Sequence, residues 1–401
     1  RLPPEQMPNA HPGNACSVLA ETLLMSESIS LLAKPSKDIV GQRLGSFGAV
    51  FIMLKSALGA GLLNFPWAFA RTGEIRYAVT IEMISVVFLI SGLIILGYSS
   101  SISGQSTYQD VVQHLCGPVI GKLCEIFLVF NLFMISVAFL VIVADQLQKL
   151  SVYIYELING SSESEMPHHW YTDQRIALFI LCLFLILPLS IPKEIWIQKY
   201  TRWGTAIYLT VVITVKYYIR AVPEISSWTP VFSVIPTICF GFQVSVEQAP
   251  VLNKKLSHWV GISFVSMFFC TVIYSLTGIY GYLTFGKNVA ADVLMSYSGG
   301  DVIIIIARLL FGLSIITIYP IVLLLGRSVI LAPVLQHRGK YLVVTTSFES
   351  CTRVALTLAW VISTFLIAVA VPDISKVISV IGGISAFFIF IFPGQTINKE
   401  C

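Results

Sequence analysis

Two stretches of this chain carry residues whose types and spacing could do chemistry in an apolar setting. The first is Lys55-Ser56-Ala57-Leu58-Gly59-Ala60-Gly61-Leu62-Leu63-Asn64-Phe65-Pro66. Glycine weakens a helix by roughly 1 kcal/mol relative to alanine, and proline by about 3 kcal/mol. The second stretch is Pro236-Thr237-Ile238-Cys239-Phe240-Gly241-Phe242-Gln243, followed by Pro250. A helix broken at either place leaves backbone N–H and C=O groups free. Free N–H groups at the start of a half-helix attract a carboxylate, and free C=O groups attract an ammonium or a cation. Together the two breaks suit a zwitterion, which is to say an amino acid. The polar side chains close to them are Ser56 and Asn64 in the first stretch and Thr237 and Gln243 in the second. A later apolar run adds Ser314, Thr317 and Tyr319. A lone hydroxyl in such a helix usually bonds its own preceding carbonyl. Ser314 and Thr317 are set apart because they stand i, i+3 on one face.

Other chemistries find no residues here. There is no catalytic triad, no phosphate-binding glycine loop and no cluster spaced for a metal, so neither an enzyme nor a bound cofactor is expected. No histidine lies in an apolar run, which leaves a histidine proton switch without a carrier. None of the eight cysteines falls in an expected outer loop, so no structural disulfide is expected.

The elements that must position these residues follow from composition. Hydrophobic residues make up 56% of the 401 and charged residues 11%. Soluble domains carry about 25% charge, so this chain is read as a polytopic membrane protein. A ~30 Å hydrocarbon core takes about 20 helical residues to cross. Ten apolar runs qualify: Ser46–Ala70, Tyr77–Ser99, Leu123–Leu150, Ile176–Ile191, Thr201–Ile219, Pro230–Pro250, Trp259–Phe285, Val302–Leu331, Val354–Val371 and Ile374–Phe392. None alternates at period two, so the expected fold is all-α rather than a barrel. A polar tail (1–45) precedes a transporter-like core (46–394), and a short tail (395–401) follows. With the N-terminus in the cytosol, fifteen of the 25 Lys and Arg fall on inner segments and eight on outer ones. That bias obeys the positive-inside rule. Lys55 and Arg308 stand inside runs. Lys55 is too deep to reach water easily and should face a cavity. Arg308 is close enough to its run's outer end to serve a structural role there. Glu82 and Asp145, near outer ends, and Glu125, near an inner end, read as interfacial charges. Asn159-Gly160-Ser161 is a glycosylation sequon in an expected outer loop.

The broken runs are the first and the sixth of ten, so each heads a set of five: 46–219 and 230–394. Five is odd, so the second set is inverted relative to the first. That is the pattern of an inverted-repeat transporter, with freed backbone lining a cavity near the midplane.

The residues also resemble a known family. Leu58-Gly59-Ala60-Gly61-Leu62-Leu63-Asn64-Phe65-Pro66 resembles the first helix of the sodium-coupled neutral amino acid transporters, solute carrier family 38, within the amino acid/auxin permease group. Pro236–Gln243 resembles their sixth helix, and Ile378-Ser379-Val380-Ile381-Gly382-Gly383-Ile384-Ser385 their tenth. The likeness runs from about Ser46 to Pro393. It implies a LeuT-type 5+5 fold, transport of amino acids such as glutamine and alanine, and sodium as the coupling ion. It further implies that the Gly59-Ala60-Gly61 backbone holds the substrate carboxylate and the carbonyls near Phe240 and Gly241 its amino group; Ser56 and Gln243, polar residues of the two stretches, complete the expected substrate site. Many relatives carry a sodium-ligating asparagine where this chain has Lys55. A lysine ammonium there would occupy the cation site itself, so Lys55, Ser314 and Thr317 form the expected cation site and weak sodium dependence is expected. The stretch after Gln243 departs from the family pattern, and the family has an eleventh helix beyond the ten read here.

The expected partners are an amino acid and the lipid bilayer, with no nucleic acid. The expected setting is the plasma membrane rather than the lysosome. A sensor or receptor that binds an amino acid without net transport is the alternative. A channel would need a more polar pore lining than these runs supply.

Overall fold

The computed structural model describes residues 61–104, 108–159, 174–191, 210–214, 237–238, 256–297, 301–339, 346–371 and 373–386. Every regular element among them is helical. They are α1 (Gly61–Thr72), α2 (Ile75–Ser103), α3 (Tyr108–Cys116), α4 (Pro118–Asn159), α5 (Gln174–Ser190), α6 (Leu256–Phe285), α7 (Val302–Gly339), α8 (Thr346–Ala370) and α9 (Ile374–Ala386). Two short 3-10 turns, Gly286–Asn288 and Val293–Ser296, join α6 to α7.

Five of these helices are long and apolar enough to cross a membrane: Ile75–Ser103, Pro118–Ile158, Trp259–Asn288, Val302–Leu335 and Ser347–Ala370. They coincide with the second, third, seventh, eighth and ninth runs read from the sequence. α5 and α9 are shorter apolar helices at the fourth and tenth. The first run is represented by α1, the fifth by residues 210–214 and the sixth by residues 237–238. The terminal tails and most of those last two runs lie outside the described residues.

Burial along α2 shows how such a helix meets two solvents. Ala78, Glu82, Val86, Leu89, Leu93 and Leu96 form a buried stripe at helical spacing. Met83, Val87 and Phe88 point the other way and are more than half exposed. In water that outer face would need cover, whereas in hydrocarbon it needs none. The helix stops at Gly104, whose φ of 66° lets its N–H return to the Ser100 carbonyl at 3.1 Å.

Two helices outrun the sequence reading. α4 has 42 residues and α7 has 38. Hydropathy finds the lipid-embedded part of a helix, but the helix continues past it until a breaker intervenes. Pro320 and Pro333 do not stop α7; within a bundle, neighbouring groups take up the backbone partners a proline frees. In α5 a proline has a visible effect. Cys182–Ile186 form a π-turn, with the Leu187 N–H on the Cys182 carbonyl, immediately before Pro188. The wider turn relieves the clash between the proline ring and the carbonyl four residues back.

The helices pack in two groups. α1 lies against α6 and α2, and α6 against α2. α4 forms the spine of the other group, contacting α5, α7, α8 and α9. Glycines set the closest approaches. A Cβ at Gly278 would stand 2.8 Å from Phe69 Cε2, and one at Gly281 2.5 Å from Pro66 Cγ, so α1 lies directly on the α6 backbone. A Cβ at Gly97 would meet the Trp259 ring at 2.2 Å. There the indole Nε1 donates to the Leu93 carbonyl of α2 at 2.9 Å.

Candidate functional site

α1 carries the motif Gly61-Leu62-Leu63-Asn64-Phe65-Pro66 into the bundle, and each of these residues is buried. Asn64 is fully buried. Its Nδ2 donates to the Ala291 carbonyl at 2.8 Å, and its Oδ1 accepts from Thr237 Oγ1 at 2.9 Å. One side chain thus ties the first run to the sixth and to the loop between α6 and α7. Phe65 stacks flat on Tyr274 of α6, with centroids 4.2 Å apart and planes 10° apart. The Tyr282 hydroxyl donates to the Gly73 carbonyl at 3.1 Å, closing the far end of α1 on the same helix.

The opposite wall is α4, α7 and α8. Ser314 is buried on α7, and Thr317 Oγ1 donates to the Ser314 carbonyl at 2.7 Å. That is the local bond expected of a hydroxyl in a membrane helix; it leaves the oxygen able to accept. Tyr319 and Thr364 share a hydrogen bond at 2.7 Å between α7 and α8. Ser136 of α4 bonds its own Leu132 carbonyl at 2.9 Å and accepts from Trp360 Nε1 at 3.2 Å. Arg327 is buried and donates to the Ser190 carbonyl of α5 and to Thr357 Oγ1 of α8. Several polar groups on this wall therefore hold helices together.

The α6–α7 loop caps the assembly. Asp292 is 2% exposed; it accepts from Gln146 Nε2 of α4 and, at 2.9 Å, from the Leu294 N–H, so it also caps the second 3-10 turn. Burial pushes its carboxyl up to about 7. Asp145 adds to the rise, while the Leu294 N–H, Arg308 and Gln146 partly offset it. Arg308 reaches from α7 into this loop, donating to the carbonyls of Leu294 at 2.9 Å and Tyr297 at 3.0 Å. Its expected structural role at the end of its run is the one observed.

Glu82 departs from the sequence reading. It is fully buried rather than interfacial, and its Oε2 accepts from Ser275 Oγ of α6 at 2.8 Å. Interhelical hydrogen bonds in membranes average about 0.6 kcal/mol. An acid at a helix centre costs about 2.5–3.5 kcal/mol on insertion scales. The bond alone does not explain the acid. The signal in the sequence was its place in the α2 stripe, four residues from Ala78 and four from Val86.

Of the residues assigned to a substrate site, Gly61 is placed, buried at the head of α1 as described. Ser56, Gly59, Ala60, Phe240, Gly241 and Gln243 lie outside the described residues. Of the cation-site residues, Ser314 and Thr317 are placed together on α7, and Lys55 lies outside. Asn159 is the last residue of α4. Thr237, named from the sequence as a polar side chain beside the second break, is the partner of Asn64. Among the described residues no group of three or more His, Cys, Asp or Glu is arranged for a metal.

Comparison with known proteins bears directly on this arrangement. The family model described as "Transmembrane amino acid transporter protein" matches residues 43–397. A Xenopus tropicalis relative is 58% identical over 387 residues, covering 92% of this chain and 88% of its own; its name assigns it, provisionally, as sodium-coupled neutral amino acid transporter 8. Human solute carrier family 38 member 8 is 51% identical over the same shares. Zebrafish (Danio rerio) sodium-coupled neutral amino acid transporter 7 is 42% identical over 93% of this chain and 83% of its own. Among solved structures, MhsT in complex with L-phenylalanine aligns over 90% of this chain and 98% of its own, with a TM-score of 0.57 and 13% identity. That likeness shows the fold alone, an all-helical LeuT-like one. The relatives are named as transporters, not as enzymes. The chain belongs to the transmembrane amino acid transporter family and, within it, to the sodium-coupled neutral amino acid transporters of solute carrier family 38.

Proposed function

We propose that this chain is a secondary-active transporter of neutral L-amino acids, of the glutamine and alanine type, working by alternating access. Its architecture is ten spans in two inverted sets of five, with the first and sixth broken. The substrate carboxylate sits on the Gly59-Ala60-Gly61 backbone and the amino group on the Phe240 and Gly241 carbonyls, with Ser56 and Gln243 alongside. Lys55 places an ammonium beside Ser314 and Thr317, where the family's sodium would otherwise bind, and so weakens sodium coupling. The protein works in the plasma membrane with its N-terminus in the cytosol, and Asn159 carries a glycan.

The observation that carries this reading is the Asn64 bridge. It joins the first run, the sixth run and the α6–α7 loop, the three pieces that a gate over a midplane site would use. The helix grouping supports it too: α1, α2 and α6 form one body against α4, α5, α7 and α8, so one body can rock against the other.

The test is uptake of radiolabelled glutamine or alanine into proteoliposomes, in sodium and in choline. Uptake that survives choline in the wild type and becomes sodium-dependent in Lys55→Asn is expected. A steep loss of wild-type uptake in choline would sink the lysine substitution idea. Saturable binding with no uptake in either medium would favour a sensor instead.

A further inference from the structure

Arg327 and Arg353 bring two guanidiniums to one seam, at the end of the bundle where α7 finishes and α8 begins. Arg327 is buried and donates to the Ser190 carbonyl of α5 at 3.1 Å and to Thr357 Oγ1 of α8 at 2.8 Å. The Thr357 hydroxyl in turn donates to the carbonyl of Arg353, one turn earlier on α8, at 2.9 Å. The two like charges are close enough to repel. Arg327 has acceptors on two helices. Arg353 is served differently: its Nε and Nη1 are buried without a hydrogen-bond partner, and Glu349 Oε1 lies 3.6 Å from Nη1. That distance makes an ion pair but not a hydrogen bond. The Arg353 side chain is 15% exposed, so it reaches the protein surface.

Depth decides what meets it there. The apolar part of α8 is Ser347–Ala370, 24 residues, about 36 Å against a hydrocarbon core of ~30 Å. Arg353 stands about 9 Å from its start, and Arg327 about 12 Å from the end of the apolar part of α7 at Leu335. The pairs Arg327–Thr357, Gly326–Trp360 and Tyr319–Thr364 make α7 and α8 antiparallel. Side chains tilt toward the N-terminus of their own helix. Arg353 therefore leans toward the headgroups, and Arg327 leans inward behind it. Leu325 of α7 and Leu358 of α8 are exposed nearby, apolar surface fit for acyl chains. A guanidinium near this boundary, with no hydrogen-bond acceptor from the protein, meets phosphate oxygens.

We propose that the α7–α8 seam at Arg353 binds the phosphate of an anionic lipid headgroup, with Arg327 supplying a second positive charge behind it. In the orientation proposed above this end faces the cytosol, which puts the site in the inner leaflet, where anionic lipids and basic pockets between helices meet. The leaflet rests on that reading; the binding does not. A bound phosphate accepts from Arg353 and offsets the repulsion between the two guanidiniums. It thereby steadies the seam that Arg327 ties among α5, α7 and α8. A zwitterionic headgroup brings its own cation beside the phosphate and offsets less, so an anionic lipid is preferred.

The full-length protein in phosphatidylcholine nanodiscs tests this, with a trace of spin-labelled phosphatidylserine or spin-labelled phosphatidylcholine. The fraction of each label immobilised on the protein gives the preference. Wild type should favour the serine lipid by about fivefold, the usual effect of one basic side chain near a membrane surface. Arg353→Gln should lose the preference, and Arg353→Lys, which keeps the charge, should retain most of it. Glu349→Gln removes the competing carboxylate and should strengthen it; this variant decides the matter if Arg353→Gln does not fold. Equal preference in wild type and Arg353→Gln overturns the proposal. So does a wild type without preference, or Glu349→Gln no stronger than wild type. Millimolar inorganic phosphate at constant ionic strength should leave the preference in place; its loss would assign the site to a soluble anion and overturn the lipid. No amino acid is present, so a failed lipid preference and a failed uptake assay are separate results, and the leaflet is read separately from glycosylation at Asn159.

Discussion

Asn64 commits both ends of its amide, one to Ala291 and one to Thr237. Asn64→Ala leaves the Thr237 hydroxyl and the Ala291 carbonyl without that partner, and each buried orphan costs about 1–3 kcal/mol. The variant should melt several degrees lower in detergent, and Asn64→Asp lower still at neutral pH, because a carboxylate oxygen then faces the Ala291 carbonyl. An unchanged melting temperature in both would remove the bridge from any account of stability. Asp292 makes a pH prediction of definite sign. Its carboxyl lies near 7 in the folded chain against an ordinary 3.8. The folded state therefore holds this proton more tightly than the unfolded state does. The contribution to stability is whole below about pH 4 and is lost as pH rises through about 7. Wild-type protein should melt at a higher temperature at about pH 5 than at about pH 8, and Asp292→Asn should narrow the gap. Residue types were legible in the sequence, since Asn64 and Thr237 stood out as polar among apolar neighbours. Their pairing was not, because nothing local records which groups meet across 173 positions. Glu82 was misread for a related reason: distance from a helix end was weighed, and the face it occupied was not.

Among the elements, α1 and α6 are matched by what α6 lacks. Gly278 and Gly281 leave its backbone bare beneath Phe69 and Pro66. Gly281→Val should lower stability by roughly 1–3 kcal/mol through overpacking, read as a fall in melting temperature. It should also lower uptake, since Pro66 is a ring with little freedom to yield. A variant that melts and transports like wild type would show that α1 can shift without consequence. The apolar runs announced the helices well, because hydrocarbon selects for composition over about 20 residues. Helix ends were harder. α4 continues to Asn159 and α7 to Gly339, past the ends read from the sequence. The π-turn before Pro188 left no pattern beyond the proline itself.

At the scale of the molecule, composition alone indicated a membrane protein, and the family motifs supported a LeuT-like fold. The partition into two packed groups was only implied, since it depends on which faces meet rather than on what each run contains. Orientation has its own test. If the loop after α4 faces outward, Asn159→Gln expressed in cells should migrate faster on a gel, and glycosidase treatment should shift the wild type to the same position. A wild-type band insensitive to glycosidase would withdraw support from the assigned orientation.

The anchoring of the α6–α7 loop has a mechanical consequence. Gln146 holds it to α4 through Asp292, and Arg308 holds it to α7 through two carbonyls, while α1 reaches it through the Asn64 amide. The loop is therefore fastened mainly to α4 and α7, like a strike plate, with α1 as the bolt. If α1 rocks as proposed, the line of separation runs between Ala291 and Asn64, and the Asn64–Ala291 hydrogen bond is one that must break.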